Sequence, residues 1–118
     1  MNDRSKIEAM INEFYLALSS DDLSNLQLAE NVVMTGVFVA EPIVGKADVI
    51  QHLRETSPFM RNIYSSRLII ENGAAVALTE FDVVNGVHIE GAYVFDVKDG
   101  QFIRLQSLFD TRSLFAKS

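Results

Sequence analysis

The chain from Val76 to Asp110 alternates apolar with polar or charged residues over most of its length, and Asn85-Gly86 divides it in two. Alternation with a period of two is typical of β-strands that have one buried face. An Asn-Gly pair favours a tight turn, because a type I′ turn needs two successive residues at positive φ. This stretch therefore predicts an antiparallel hairpin, and it constrains the fold more than any other part of the sequence.

The length of that turn decides which way two carboxylates of the first strand point. With a two-residue turn, Asp82 lies opposite Ile89 and Glu80 lies opposite Gly91, so that both acids join the apolar face of the hairpin. With a three-residue turn and a bulge, the first strand is flipped, so that Phe81 faces the core and both acids face water. Acids among apolar neighbours are costly and are typical of functional sites with a raised carboxyl pKa. We favour the two-residue turn and keep the three-residue turn as the alternative.

Composition and charge exclude several classes of function. The chain has 118 residues, which fits one domain spanning residues 1–118, and its 48% hydrophobic and 22% charged residues are typical of a folded domain. Its net charge is −6 and its basic residues are scattered, which argues against nucleic acid or an anionic membrane as a partner. No apolar run approaches the roughly 18 residues that span a bilayer, and the first residues lead into a helix instead of a signal peptide. We therefore expect a cytoplasmic protein.

The order of the remaining patterns predicts helices before the sheet. In chain order we predict a helix from about Asp3 to Ser19, a short helix capped by Ser20-Asp21-Asp22, a strand from Asn31 to Ala40, a third helix after Gly45-Lys46, and a strand from Asn62 to Glu71. Helices followed by a long antiparallel meander predict an α+β domain, in which the N-terminal helices pack in the concave face of a curved antiparallel sheet.

The last turn of the sheet contains Asp99-Gly100, which suits either a two-residue turn or a three-residue loop with a bulge at Gly100. The longer loop places the apolar residues of the last strand on the same face as Tyr93 and Phe95, and we therefore predict it. Those residues are Ile103, Leu105, Ser107 and Phe109.

Four short motifs carry a resemblance to a known superfamily over nearly the whole chain. They are Ser20-Asp21-Asp22-Leu23, Ile43-Val44-Gly45-Lys46, Val97-Lys98-Asp99-Gly100-Gln101-Phe102 and Leu108-Phe109-Asp110. In these motifs the chain resembles the nuclear transport factor 2-like superfamily, and its closing motif is similar to that of SnoaL-like polyketide cyclases and limonene epoxide hydrolases. The resemblance implies a cone-shaped, cystatin-like α+β barrel with one deep apolar pocket, commonly in a homodimer.

The resemblance also implies roles for single residues. Tyr15 matches the tyrosine by which ketosteroid isomerases donate a hydrogen bond to a developing enolate. The isomerase's general base falls at Gly36 and its partner acid falls near Gly91, so that this chain lacks both acids of that activity. Asp110 matches the terminal aspartate that serves as acid or base in SnoaL-like cyclases.

Limonene epoxide hydrolases use two aspartates bridged by an arginine, and the resemblance is only partial there. Asp82 and Asp110 match the two aspartates, whereas Glu80 stands where the arginine is expected. The inverted charge argues against the same mechanism in this chain.

We interpret the chain as a SnoaL-like protein that binds a compact apolar metabolite and performs acid-base chemistry such as cyclisation, isomerisation or hydration. The predicted catalytic residues are Asp110, Asp82, Glu80 and Tyr15. The predicted substrate-binding residues are Tyr93, Phe14, Leu78, Ile89, Phe95, Leu105, Phe109 and His52. Because the chain has no cysteine and two isolated histidines, we expect no metal site, and we expect no organic cofactor.

Two alternatives stay open beside this interpretation. In the first, the pocket binds its ligand without catalysis. In the second, the chain is a dimeric assembly module, and we expect a homodimer through the convex sheet face, with Phe102, Leu108, Phe81 and Val94 as its surface. The candidates also have ordinary structural interpretations, with Tyr15 as a core ring, Asp110 as a helix N-cap, and His52 and His88 as surface residues.

Overall fold

The computed structural model describes residues 3–20, 22–83 and 86–110, and it places two helices on one six-stranded sheet. The elements in chain order are α1 (Asp3–Ser20), β1 (Leu28–Gly36), β2 (Ile43–Val44), α2 (Lys46–Thr56), a 3₁₀ turn (Ser57–Phe59), β3 (Met60–Glu71), β4 (Ala74–Val83), β5 (His88–Lys98) and β6 (Gln101–Phe109). The predicted α+β class is confirmed. Neither α1 nor α2 is long and apolar enough to cross a bilayer, and the described residues contain no other helix that could.

The predicted short helix after Ser20 is wrong. The carboxylate of Asp22 accepts hydrogen bonds from the amide and the hydroxyl of Ser24, at 3.2 and 2.7 Å, and Leu23 and Leu26 are buried in the turn that follows. Aspartate side chains that bond to the nearby backbone compete with helix formation, and a helix this short has no cooperative length to offset that competition. Asp21 lies outside the described residues.

The sheet is mixed, whereas the sequence predicted an antiparallel one. Its strand order is β2-β1-β6-β5-β4-β3, and every neighbouring pair is antiparallel except β1 with β6, which run parallel. The parallel pair arises because the last strand of the meander returns beside the first strand of the chain. The predicted first strand also begins and ends earlier than expected, at Leu28 and Gly36, and β2 was not predicted.

The hairpin at Asn85-Gly86 has the alternative register and not the favoured one. Asp82 pairs with His88 and Phe81 pairs with Ile89, and the Val83 amide donates to the Val87 carbonyl at 2.9 Å, so that the ladder continues to the pair Val83 and Val87. Val84 and Asn85 lie outside the described residues. This register buries Phe81 and turns the neighbouring acids outward, because burying a large ring stabilises the fold by about 2–3 kcal/mol whereas burying unpaired carboxylates costs more.

The turn at Asp99-Gly100 is shorter than predicted. Lys98 pairs with Gln101 across a two-residue turn, in which Asp99 and Gly100 have φ values of 54° and 76°. The extra residue lies further along, at Ile103, between the pairs Val97 with Phe102 and Asp96 with Arg104. The predicted bulge at Gly100 is therefore wrong by three positions.

This displaced bulge decides which residues of β6 face the core. Phe102 is fully buried, although the sequence analysis placed it on the convex face, and Ile103 is only partly buried. Beyond the bulge, Leu105 pairs with Phe95 and Ser107 pairs with Tyr93, as predicted. We use the term inner face for the side of the sheet that carries these buried residues and packs against the helices, and the term outer face for the opposite, convex side.

Aromatic rings form the centre of the core. Phe14 of α1 makes edge-on contacts with Tyr93, Phe95 and Phe102, at ring-centroid distances of 5.2 to 6.1 Å. Phe109 continues the cluster from Tyr93 at 5.3 Å. Such contacts stabilise the fold beyond simple burial by about 1 kcal/mol each.

Candidate functional site

The inner face of the sheet carries a buried pair of hydroxyl groups. Thr79 is the polar member of the inner row of β4, and its Oγ1 lies 2.5 Å from the hydroxyl of Tyr15 on α1. The Thr79 hydroxyl donates to the Ala77 carbonyl at 2.7 Å, so that Tyr15 is the donor to Thr79. Burial raises the pKa of Tyr15 well above its ordinary value of 10, which outweighs the lowering effect of Thr79. Tyr15 is therefore a neutral hydrogen-bond donor at physiological pH.

A second hydroxyl on this face lacks a partner. Ser107 is fully buried and pairs with Tyr93 on one side and with Gly36 on the other. Its Oγ finds no hydrogen-bond partner within the part of the chain that the structure describes. A buried hydroxyl without a partner costs about 1–3 kcal/mol, and such a group is expected where another molecule completes the bond.

Most of the predicted pocket residues do lie together on the inner side of the molecule. They are Phe14, Ile89, Tyr93, Phe95, Leu105 and Phe109, all of them 5% exposed or less. Burial also raises the pKa of Tyr93, with a smaller contribution from Tyr15. Their role in binding stays a prediction, because their rings and chains pack against one another in the core.

Two predicted binding residues lie elsewhere. Leu78 is on the outer face and 40% exposed, because the register that buries Phe81 turns Leu78 outward with the acids. His52 lies on α2, beside a groove that residues 38–44 complete, and its Nε2 is buried without a hydrogen-bond partner among the described residues. Burial lowers the pKa of His52 and outweighs the opposing effect of Glu55.

The predicted acids form a cluster on the outer face around a residue that the sequence analysis assigned to solvent. His88 Nδ1 lies 2.8 Å from Asp82 Oδ1, and His88 Nε2 lies 2.9 Å from Glu80 Oε1 and 3.7 Å from Glu90 Oε2. Asn62 Nδ2 donates to the other oxygen of Asp82 at 3.2 Å. The predicted inward orientation of Glu80 and Asp82 is therefore wrong.

Hydrogen bonds inside this cluster shift the acid-base properties of its members. The bonds to Asp82 and Glu80 raise the pKa of His88. The bonds from His88 and Asn62 lower the pKa of Asp82, which is the reverse of the raised value that an acid catalyst needs. A hydrogen bond to Glu80 and the surrounding carboxylates raise the pKa of Tyr64 on β3.

Asp110 follows β6 at the same end of the outer face. Its side chain is exposed, and its amide donates to the Glu90 carbonyl at 3.3 Å. Together with Glu80, Glu90 and Ser66 it lines a shallow depression. Asp110 therefore does not point into the core, as its predicted catalytic role requires, and residues 111–113, which Asp110 would cap as a helix N-cap, lie outside the described residues.

The sheet therefore separates two polar groupings. Among the described residues no carboxylate is buried, so that the inner face offers hydroxyl groups and aromatic rings to a ligand and no carboxylate to an acid-base mechanism. His88, Glu90 and Ser107 were missed as candidates. The available signal was the alternation of β5, which places His88 and Glu90 on one face, combined with the alternative turn length, which places Asp82 and Glu80 opposite them on β4.

Comparison with known proteins gives structural matches only. No family model and no curated protein matches the sequence. The fold is similar to that of an NTF2-like protein of unknown function from Mesorhizobium loti, with 14% identity, 93% of this chain and 95% of that chain covered, and a TM-score of 0.82. It is also similar to a steroid delta-isomerase from Pseudomonas aeruginosa, with 16% identity, 95% and 88% coverage and a TM-score of 0.80.

A de novo designed protein with a curved β-sheet matches as well, with 18% identity, 95% of this chain and 90% of that chain covered, and a TM-score of 0.81. A designed scaffold and a named isomerase on one architecture show that this fold does not by itself imply an activity. At such low identities the matches establish the architecture alone, and by that measure the chain has the nuclear transport factor 2-like fold.

Proposed function

We propose that this protein is a non-catalytic small-molecule-binding module that holds a compact, mostly apolar ligand on the inner face of its sheet. The observation that carries the proposal is the buried Ser107 hydroxyl, which has no hydrogen-bond partner among the described residues and belongs to the residue that pairs with Tyr93 on the neighbouring strand. Binding sites for small molecules are typically lined by apolar and aromatic groups with a few convergent polar ones. The few polar groups of the proposed site are the hydroxyls of Ser107, Tyr93, Tyr15 and Thr79.

The segment after β1 is the proposed entrance. The Val37 amide donates to the Ser107 carbonyl at 3.1 Å, which holds this segment beside the unpartnered hydroxyl. Phe38 is only partly buried, and its ring stacks on Phe109 at 5.6 Å. A ligand that displaces Phe38 would gain contact with the aromatic cluster and with Ser107.

We favour binding over the acid-base chemistry of the sequence interpretation because Glu80 and Asp82 lie on the outer face and Asp110 is exposed. The Pseudomonas aeruginosa neighbour is named a steroid delta-isomerase, so that a steroid ketone is a reasonable first probe of an apolar site with a hydroxyl donor. We would add a monocyclic terpene epoxide and a fatty acid, and would follow binding by amide chemical shifts.

The expected result is binding of at least one probe, with the largest shifts at residues near Ser107 and Phe38. Ser107→Ala should weaken binding about tenfold, the effect of one hydrogen bond. Asp82→Ala should leave affinity unchanged. If no probe binds, or if a probe is turned over and Asp82→Ala lowers turnover by about 10²-fold, the proposal is wrong and the catalytic interpretation returns.

A second candidate function, assembly through the outer sheet face, rests on a separate observation. Four large hydrophobic side chains on this face are 40–49% exposed, namely Tyr64, Ile69, Leu78 and Leu108. Adjacent exposed apolar side chains on a sheet are typical of interaction surfaces. Phe81 and Phe102, which the sequence analysis had assigned to this surface, face the core instead.

A second copy of the chain is the proposed occupant, and sedimentation equilibrium tests it. We expect a dimer that Leu108→Lys dissociates. Leu16→Lys is the matched control, because Leu16 is an exposed leucine on α1, away from the sheet. A monomeric wild-type protein, or equal effects of the two substitutions, would count against a sheet-mediated dimer.

A further inference from the structure

Two antiparallel strands place four ionisable side chains at the corners of a square on the outer face. Glu80 of β4 pairs directly with Glu90 of β5, and Asp82 pairs directly with His88. Like charges directly opposite each other destabilise a strand pair. Within the described parts of the chain, every ion pair of these carboxylates is with His88, and none is with a lysine or an arginine.

Three ligand atoms of this square are close enough to share one cation. His88 Nε2 lies 2.9 Å from Glu80 Oε1 and 3.7 Å from Glu90 Oε2, and the three atoms all lie within 4.8 Å of one another. Nitrogen and oxygen ligands bind zinc at about 2.0–2.2 Å, so that two ligands of one ion lie roughly 3–3.5 Å apart. The side chain of Glu90 is 72% exposed, and a small rotation would bring its oxygen to that distance.

The remaining members of the cluster orient the imidazole. His88 Nδ1 faces Asp82 Oδ1 at 2.8 Å, and Asn62 holds the second oxygen of Asp82. With its proton on Nδ1, His88 presents the Nε2 lone pair to Glu80 and Glu90. A carboxylate behind a histidine is the arrangement that fixes the tautomer and the ring orientation of metal ligands.

A shallow depression lies in front of the two glutamates. It is bordered by Glu80 and Glu90 and is also lined by Ser66, Gly91 and Asp110. A cation held by Glu80 and Glu90 would therefore keep coordination positions open to water or to an oxygen-bearing ligand.

We propose that the outer face binds one divalent cation of the zinc or manganese class, with His88 Nε2, Glu80 and Glu90 as ligands and Asp82 as a positioning residue. Imidazole and carboxylate together suit these ions. No metal site was expected from the sequence, because the chain has no cysteine and two isolated histidines and the favoured register placed Glu80 on the face opposite His88. The proposal is independent of ligand binding on the inner face.

Calorimetric titration of the chelator-stripped chain with ZnCl₂, and separately with MnCl₂, tests the proposal. One ion should bind per chain, and the Nε2 resonance of His88 should move in a nitrogen-edited spectrum while that of His52 stays in place. His88→Gln should weaken binding at least tenfold, and Asp82→Asn should weaken it about 10- to 100-fold while leaving the stoichiometry at one.

The chain contains two histidines, so that His52→Gln is a matched control that removes the other imidazole, and Glu41→Gln removes an exposed carboxylate elsewhere. Both controls should bind as the wild type does. Unchanged binding in His88→Gln, loss in His52→Gln, or several weak ions per chain would each overturn the proposal. These results do not depend on a probe for the inner face, since His88 and Ser107 lie on opposite sides of the sheet.

Discussion

The Tyr15–Thr79 pair predicts an unequal response to the loss of each hydroxyl. In Tyr15→Phe, the Thr79 hydroxyl keeps its own acceptor, the Ala77 carbonyl at 2.7 Å. The substitution therefore removes one hydrogen bond and leaves no buried donor without a partner. We expect a loss of about 1 kcal/mol in the free energy of unfolding, the usual net value of a hydrogen bond.

Thr79→Val has nearly the same shape but removes the acceptor of the Tyr15 hydroxyl. Tyr15 is 7% exposed and would keep a buried O–H donor with no partner in place of Thr79. That defect adds the desolvation of the donor, so that the expected loss is about 2–3 kcal/mol. The double variant has no orphaned donor, and we expect it to be more stable than Thr79→Val alone by about 1 kcal/mol.

Urea unfolding followed by far-ultraviolet circular dichroism measures all four proteins at one concentration and at pH 7, where both tyrosine and phenylalanine are uncharged. The m-value should stay constant, since the surface exposed on unfolding is unchanged. An equal loss of stability in Tyr15→Phe and Thr79→Val, or simple addition of the two losses in the double variant, would contradict this assignment of donor and acceptor.

Three further predictions follow from named contacts. Gly36→Ala should destabilise the fold by about 2 kcal/mol more than Gly45→Ala in the same urea assay. Both glycines have positive φ, at 131° and 107°, but only a Cβ at Gly36 would collide with Ser107. Equal losses of stability in the two variants would contradict this packing. In chelator-treated protein, proton NMR should give His88 a pKa above 6.5 and His52 a pKa below it, and Asp82→Asn should lower the pKa of His88. Because the pKa of His88 is raised in the folded state, the stability contributed by protonated His88 is present below its unfolded-state pKa and is lost as the pH rises through its folded-state pKa. A pKa for His52 above that of His88 would be contrary to the cluster geometry. Absorbance at 295 nm should show that Tyr15 and Tyr93 are still neutral at pH 10 in the folded chain and ionise near pH 10 in guanidinium, where the chain is unfolded. Ionisation of both tyrosines near pH 10 in the folded chain would mean that they are exposed.

Much of the fold followed from hydrophobic periodicity. The spacing of apolar residues in α1 and the alternation in β4, β5 and β6 act over many positions, so that single exceptions do not change the result. Between β3 and β4, Asn72 and Gly73 form a two-residue turn, with φ values of 51° and 81°. The lengths of the turns at Asn85-Gly86 and Asp99-Gly100 were predicted wrongly, because Asn-Gly and Asp-Gly are compatible with both two-residue turns and three-residue loops.

The two turn errors had different consequences. At Asp99-Gly100 the shorter turn was compensated by the bulge at Ile103, so that Leu105 still pairs with Phe95. At Asn85-Gly86 no such compensation followed, and the whole inner row of β4 changed from Glu80 and Asp82 to Thr79 and Phe81. The candidate site depended on that one register, and for this reason it was predicted less well than the fold.

The same alternation that caused the error keeps the two candidate sites apart. Thr79 and Glu80 are adjacent in sequence, yet Thr79 contacts Tyr15 in the core while Glu80 contacts His88 at the surface. Because the sheet is one backbone thick and its ladder is continuous through β4 and β5, neither side chain can cross to the other face without a shift in register. Such a shift would expose Phe81 and bury at least two carboxylates together. Substitutions at the proposed ligand site on the inner face and at the proposed cation site on the outer face can therefore be made at neighbouring positions that do not contact each other.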